Sequence, residues 1–242
     1  MFDFPVVPLC DKQLKDINPE DIISEGLFRL CNVYKGGGGY DKFPAIALKR
    51  LGIKTNYQFV VQLKGCPLKC SYCYVTPDGI NGKAVPISTE GMHLVFNALT
   101  VSTGIKVFHL MGGAPALYIE HWNEIIDGLP TDTVFHSDLM LIEKEYDIEV
   151  LKRIAQSNCL YALSIKGNDA DEFEDKTGVQ LKEELFWSNF DKVVDSGLNF
   201  YITFTDMNPS IIRAQIKARY GSEVLEDSFT IDKVDYEALG II

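Results

Sequence analysis

Cys66, Cys70 and Cys73 fall within one short run, Gly65-Cys66-Pro67-Leu68-Lys69-Cys70-Ser71-Tyr72-Cys73-Tyr74. Thiolates at spacings of four and three residues can turn from one loop toward a single metal centre, as soft sulfur donors do for zinc and for iron–sulfur clusters. The donor count separates these options. Structural zinc takes four ligands, whereas the nearest histidine is His93, 20 residues on, and Cys31 lies 35 residues back. A disulfide needs an oxidising compartment. Three cysteines suit a 4Fe-4S cluster with one iron lacking a protein ligand, and that iron would take an exogenous one. A zinc-stabilised interaction module and a non-catalytic iron–sulfur electron-transfer or sensor protein stay open as alternatives. Cys10, Cys31 and Cys159 are scattered and form no second cluster motif.

Such a loop needs rigid elements to position it. Runs rich in β-branched and aromatic residues over 57–63, 105–111, 133–140, 160–166, 199–205 and 229–234 read as strands. Helical periodicity over 88–102, 118–128, 147–157, 182–196 and 209–220 alternates with them. That alternation predicts an α/β fold with parallel strands and helices outside. An eight-fold barrel takes ~250 residues, too many for the stretch after residue 56, so the length points to a partial (β/α)6 open barrel of about 31 residues per unit. Ligands of such folds gather at the carboxyl ends of the strands, and the cysteine run follows the first strand directly.

The first 56 residues read differently, which divides the chain into an amino-terminal helical extension (1–56) and a barrel (57–242). Helices are expected over 19–34, capped by Asn18, and over 44–51. The glycine run at 36–39 lacks the preceding strand and following Lys-Ser or Lys-Thr of a phosphate loop, and reads as a hinge. The extension is expected to cover the barrel mouth.

Composition narrows the function classes. The 242 residues are 46% hydrophobic, with no apolar run near the ~18 residues of a membrane span. A net charge of -11 argues against broad nucleic-acid binding. The amino terminus lacks the regions of a signal peptide, so the expected compartment is the cytoplasm.

Cys-x3-Cys-x2-Cys, with an aromatic residue before its last cysteine, resembles the signature of the radical S-adenosylmethionine (SAM) superfamily. The resemblance implies that Cys66, Cys70 and Cys73 hold three irons of a 4Fe-4S cluster while SAM chelates the fourth. It further implies reductive cleavage of SAM to methionine and a 5'-deoxyadenosyl radical that abstracts hydrogen from a protein, peptide or small molecule. A reductant such as flavodoxin or ferredoxin is the implied partner, and Tyr72 would lie near the adenine.

Later strands carry further matches. Gly112-Gly113-Ala114-Pro115 resembles the superfamily's Gly-Gly-Glu-Pro segment, whose backbone receives the methionine amino group, with Ala114 where Glu is usual. Ser164-Ile165-Lys166 is similar to the polar-x-Lys pair of the glycyl-radical-enzyme activases, which contacts the ribose and the methionine carboxylate. The likeness to that branch continues through Lys166-Gly167 and Thr177-Gly178. On the third strand Ser137 is a candidate for the cofactor and Asp138 for substrate, although alternation lets only one of them face inward. His109 reads as a packed core residue, and His136 as a candidate acid or base.

Overall fold

The computed structural model describes residues 2–8, 22–23, 27–32, 42–55, 57–73, 75–205 and 207–231. In chain order the elements are β1 (Asp3–Val6), β2 (Ile22–Ile23), β3 (Phe28–Asn32), α1 (Lys42–Leu51), β4 (Tyr57–Gln62), α2 (Pro77–Asn81), β5 (Val85–Ser88), α3 (Thr89–Thr103) and β6 (Val107–Met111). A 3-10 turn over Pro115–His121 leads into α4 (Trp122–Ile126) and β7 (Val134–Leu139). Then follow α5 (Ile148–Ile154), β8 (Cys159–Ile165), α6 (Ala170–Thr177), α7 (Glu183–Asp195), β9 (Phe200–Thr205), α8 (Ser210–Tyr220) and β10 (Phe229–Ile231).

Strands β4, β6, β7, β8, β9 and β10 pair in that order, all parallel. Among the described residues the sheet order is linear, so this is the expected partial barrel of six parallel strands, open at its side. Its helices are capped as their sequences allow. Ser88 accepts from Gly91 N at the start of α3, Asp147 from Glu149 N at α5 and Asp169 from Glu172 N at α6.

The helix expected over 19–34 does not form across that span. Phe28–Asn32 is a strand that pairs antiparallel with β4, and Ile22–Ile23 pairs with it in turn. Helical periodicity there coincides with a run, Phe28-Arg29-Leu30, that places Phe28 against Phe59 at 5.0 Å, and sheet pairing wins over local propensity. Asn18 and the glycine run 36–39 lie outside the described residues.

The strands are buried on both faces because both are covered. On the outside, Phe59, Phe108, Phe135, Tyr161 and Phe204 pack against Phe96 of α3, Trp122 of α4, Leu151 of α5, Phe190 of α7 and Ile216 of α8. Each such fully buried side chain contributes about 1.5–3 kcal/mol. On the inside, Phe43, Ile46 and Ala47 of α1 meet Val107, Val134, Leu160, Ala162 and Tyr201 near the amino ends of their strands. Helix α1 therefore plugs the floor of the barrel, and this described part of the extension does not cover the mouth.

The amino-terminal segment reaches the other end. Strand β1 pairs antiparallel with β5. Val7 N donates to Gln62 O (3.0 Å) and Lys64 N to Pro5 O (3.0 Å), which clamps the chain where β4 runs into the cysteine loop. Among the described residues no helix is long and apolar enough to cross a membrane.

Candidate functional site

The cysteine loop is fixed by its backbone. Gly65 N donates to Ile80 O (2.9 Å), and Ala114 N donates to Gly65 O (2.7 Å). Across the loop, Lys69 N donates to Thr177 O (2.8 Å) and Ser71 N to Lys176 O (3.2 Å), at the carboxyl end of α6. The Tyr118 hydroxyl donates to Lys64 O (2.9 Å). The loop is thus suspended between the turn after β6 and the helix after β8. Thr177, noted in sequence only as half of a Thr-Gly pattern, acts as its anchor.

Cys66 and Cys70 are half-buried against a small apolar cluster of Leu68, Ala114, Met140 and Phe173, and Cys73 is exposed. Burial pushes the Cys66 thiol up to about 11, with neighbouring Cys70 and Cys73 pushing the same way. The Leu68 amide and Lys166 oppose that rise, as the Val75 amide and Lys166 do for Cys73. The three sulfurs therefore share one electrostatic environment. Metal coordination would displace their protons, since the thiolate is the ligand.

The paired glycines meet a steric demand. Gly112 and Gly113 have φ of 71° and 62°, in the left-handed region. A Cβ on Gly113 would lie 2.4 Å from Gly65 O and 2.7 Å from Leu63 O, and one on Gly112 would lie 2.5 Å from the Gln62 side chain. This turn brings its backbone directly beside the root of the cysteine loop. Ala114 is fully buried under the loop, so a methyl occupies the position where Glu is usual.

Lys166 closes the site from the fourth barrel strand. Its Nζ lies 5.7 Å from the centroid of the Tyr72 ring and 3.2 Å from Ser164 Oγ, to which it donates. Ser164 and Lys166 also line a cavity with Met140, Phe173, Phe186 and Ile212. The structure thus gathers Cys66, Cys70, Cys73, Tyr72, Gly112, Gly113, Ala114, Ser164 and Lys166 at the carboxyl end of the sheet.

Ser137 is not among them. It is fully buried and donates to Leu110 O of the adjoining strand (3.1 Å). Alternation along β7 turns Asp138 inward instead, where its carboxylate lies 4.0 Å from His109 Nε2. Burial pushes the Asp138 carboxyl up to about 6, with Lys166 pulling it down and Glu143 pushing it further up.

Beneath Asp138 the barrel interior is polar. His109 Nδ1 lies 2.8 Å from Gln58 Oε1, and His136 Nε2 lies 2.9 Å from the Tyr201 hydroxyl. The two imidazoles are 4.3 Å apart. His136 also packs on Phe43 of the floor helix, and desolvation lowers its pKa to about 3. It is a buried neutral ring, not a group at the mouth.

Two residues went unnoticed in the sequence. Glu143 takes hydrogen bonds from Met140 N (2.7 Å), Ile142 N (3.0 Å) and the Tyr146 hydroxyl (2.7 Å). Asn189, fully buried on α7, accepts from Tyr146 N and donates to Leu141 O and Lys144 O. Together they shape the loop after β7, whose Leu141 has a φ of 66°. The available signal was an Asn among the apolar positions Phe186, Phe190 and Val193 of α7.

The residues fit a polynuclear cluster. Three soft donors stand on one loop with backbone amides directed at two of the sulfurs. Three cysteines leave a single structural metal ion one ligand short of the four that zinc takes. Sulfurs spread along a loop suit separate irons of a cluster.

Fold and cysteine loop together define an α/β barrel built to carry an iron–sulfur cluster. The Radical SAM superfamily model matches residues 60–211, and the chain belongs to that superfamily. Its cofactors are a 4Fe-4S cluster and SAM. The fold is similar to that of TYW1 with a lysine-pyruvate adduct bound, at 14% identity and a TM-score of 0.57, covering 95% of this chain and 84% of that one. It is also similar to native anSMEcpe with bound AdoMet, at 16% identity and a TM-score of 0.52, covering 71% of this chain and 50% of that one. The chain thus aligns with about half the length of the latter. No curated protein matches it.

Proposed function

We propose that the chain is a hydrogen-abstracting radical SAM enzyme of the cytoplasm, nearest to the activase-like branch, acting on a protein, peptide or small molecule. Cys66, Cys70 and Cys73 would hold the cluster and leave one iron for SAM. When bound, the two cofactors supply a one-electron cleavage of the sulfonium and hydrogen abstraction from the substrate. The Gly112-Gly113 turn offers backbone to the methionine amino group, Lys166 balances its carboxylate, Ser164 faces the ribose and Tyr72 the adenine. The floor plugged by α1 keeps water from entering the barrel from below. The partner is a one-electron reductant such as flavodoxin or ferredoxin.

The observation that supports this reading is the suspension of a three-cysteine loop between the Gly113 turn and α6, with Lys166 over Tyr72. Anaerobic reconstitution followed by dithionite and SAM tests it. About four irons per chain and 5'-deoxyadenosine formation are expected, both lost in Cys66→Ala, Cys70→Ala or Cys73→Ala. A fully assembled cluster that never cleaves SAM indicates an electron-transfer protein, and one bound zinc without iron indicates an interaction module.

A further inference from the structure

The two residues that lead into Cys66 have every backbone polar group engaged, each with a different part of the fold. Lys64 N donates to Pro5 O of β1 (3.0 Å), Gly65 N donates to Ile80 O of α2 (2.9 Å), and Gly65 O accepts from Ala114 N in the turn after β6 (2.7 Å). The fourth group, Lys64 O, takes its hydrogen bond from the Tyr118 hydroxyl (2.9 Å). Cys73 is held differently, since its amide donates within the loop, to Cys70 O (3.2 Å), and its side chain is exposed. Cys66 is therefore the anchored corner of the three, and Tyr118 supplies the side-chain contact among the four.

Tyr118 and the strand that holds Lys64 N are themselves joined. Phe2, just before β1, stacks on His121 with ring centroids 3.8 Å apart, and its amide donates to Glu124 Oε2 (2.9 Å). The Tyr118 ring lies 6.2 Å from that of Phe2 and 6.4 Å from that of Phe4, within the range of aromatic contact. Phe4 is fully buried, and β1 is pinned along its length by pairing with β5. The amino-terminal segment, the Tyr118 turn and the root of the cysteine loop thus close a ring of contacts.

We propose that Tyr118 is a positioning residue for the cluster: with residues 2–7 behind it, it fixes the Lys64 peptide and so the direction from which Cys66 presents its sulfur. This rests on the radical SAM reading, which makes Cys66 a cluster ligand. The Leu68 amide is directed at the same sulfur. Moving Cys66 alters that hydrogen bond, and hydrogen bonds to the sulfurs help to set the reduction potential of an iron–sulfur cluster.

Two measurements test it, one on the metal-free chain and one on the reconstituted holoenzyme. In the metal-free chain, amide hydrogen exchange at Lys64 and Gly65 should be about three- to tenfold faster in Tyr118→Phe, the effect of one lost hydrogen bond, with Lys69 and the β8 amides unchanged. Phe2→Ala should speed the same two amides although the hydroxyl is present, and Phe2→Trp, which keeps a stacking ring, should not. Reconstituted Tyr118→Phe should load about four irons, as the wild type does, yet shift the reduction potential and the electron paramagnetic resonance spectrum of the reduced cluster. Exchange at Lys64 and Gly65 equal to wild type overturns the proposal. A rise shared equally by Lys69 and β8 overturns it too, since that marks general destabilisation. So does an unchanged potential and spectrum, which means that Cys66 has not moved. A wild type that loads no iron overturns the radical SAM reading and the proposal with it, a failure seen separately because the exchange measurement needs no cluster.

Discussion

The Lys166 ammonium stands 5.7 Å over the ring of Tyr72, joining the end of the fourth barrel strand to the loop that follows the first. The contact puts a positive charge over the middle of the three-cysteine loop, where it also favours the thiolates of Cys66 and Cys73. Cation–π attraction holds the charge without neutralising it, so it stays free for an anionic ligand.

Lys166→Ala is therefore expected to raise the KM for SAM by about 10- to 100-fold, the equivalent of one charge-assisted hydrogen bond of about 1.5–3 kcal/mol. Iron and sulfide content should not change. Lys166→Arg should recover only part of the affinity, because a planar fork does not fit a place shaped for a compact ammonium. Steady-state kinetics of 5'-deoxyadenosine formation, with iron analysis, checks both.

Gly113→Ala acts on the loop instead. The methyl would collide with Gly65 O and Leu63 O, both backbone atoms, at a φ of 62° that already disfavours a side chain. A loss of about 1–3 kcal/mol in stability is expected, together with cluster loading below half of wild type. Urea denaturation and iron content are the measurements.

His136 should govern the acid limb of stability. Its pKa is near 3 in the folded chain against an ordinary 6.5, so the unfolded chain binds a proton that the native one refuses. The contribution is complete above pH 6.5 and fades as pH falls toward 3, by at most about 1.4 kcal/mol per pH unit. His136→Phe should flatten the decline between pH 7 and 5 in denaturant titrations.

Asp138 has the opposite sign. Its carboxyl, raised from 3.8 to about 6, disfavours the folded state increasingly as pH rises through that range. Asp138→Asn should be more stable than wild type at pH 7 and equal to it below pH 4, as read by thermal denaturation across pH.

The parallel sheet was legible because 107–111 and 159–165 are largely apolar runs of strand length set between helical stretches. The cysteine loop was legible because its ligands are local in sequence. Residues 28–32 were not, since pairing with β4 is a long-range choice that outweighs a helix-like period. Helix α6 was missed for want of apolar positions, only Phe173 and Thr177 being buried. The choice between Ser137 and Asp138 depended on register, and a one-residue difference reverses the face. His109 facing Asp138 joins neighbouring strands 29 residues apart, a relation no local pattern encodes.

The plug formed by Phe43, Ile46 and Ala47 has a kinetic consequence. With the floor shut, nothing enters or leaves the barrel past the amino ends of its strands. A substrate bound below SAM would have to enter first, and methionine and 5'-deoxyadenosine would have to leave before the finished product. Such a queue gives ordered release, in which product inhibition is competitive only between the first molecule in and the last product out.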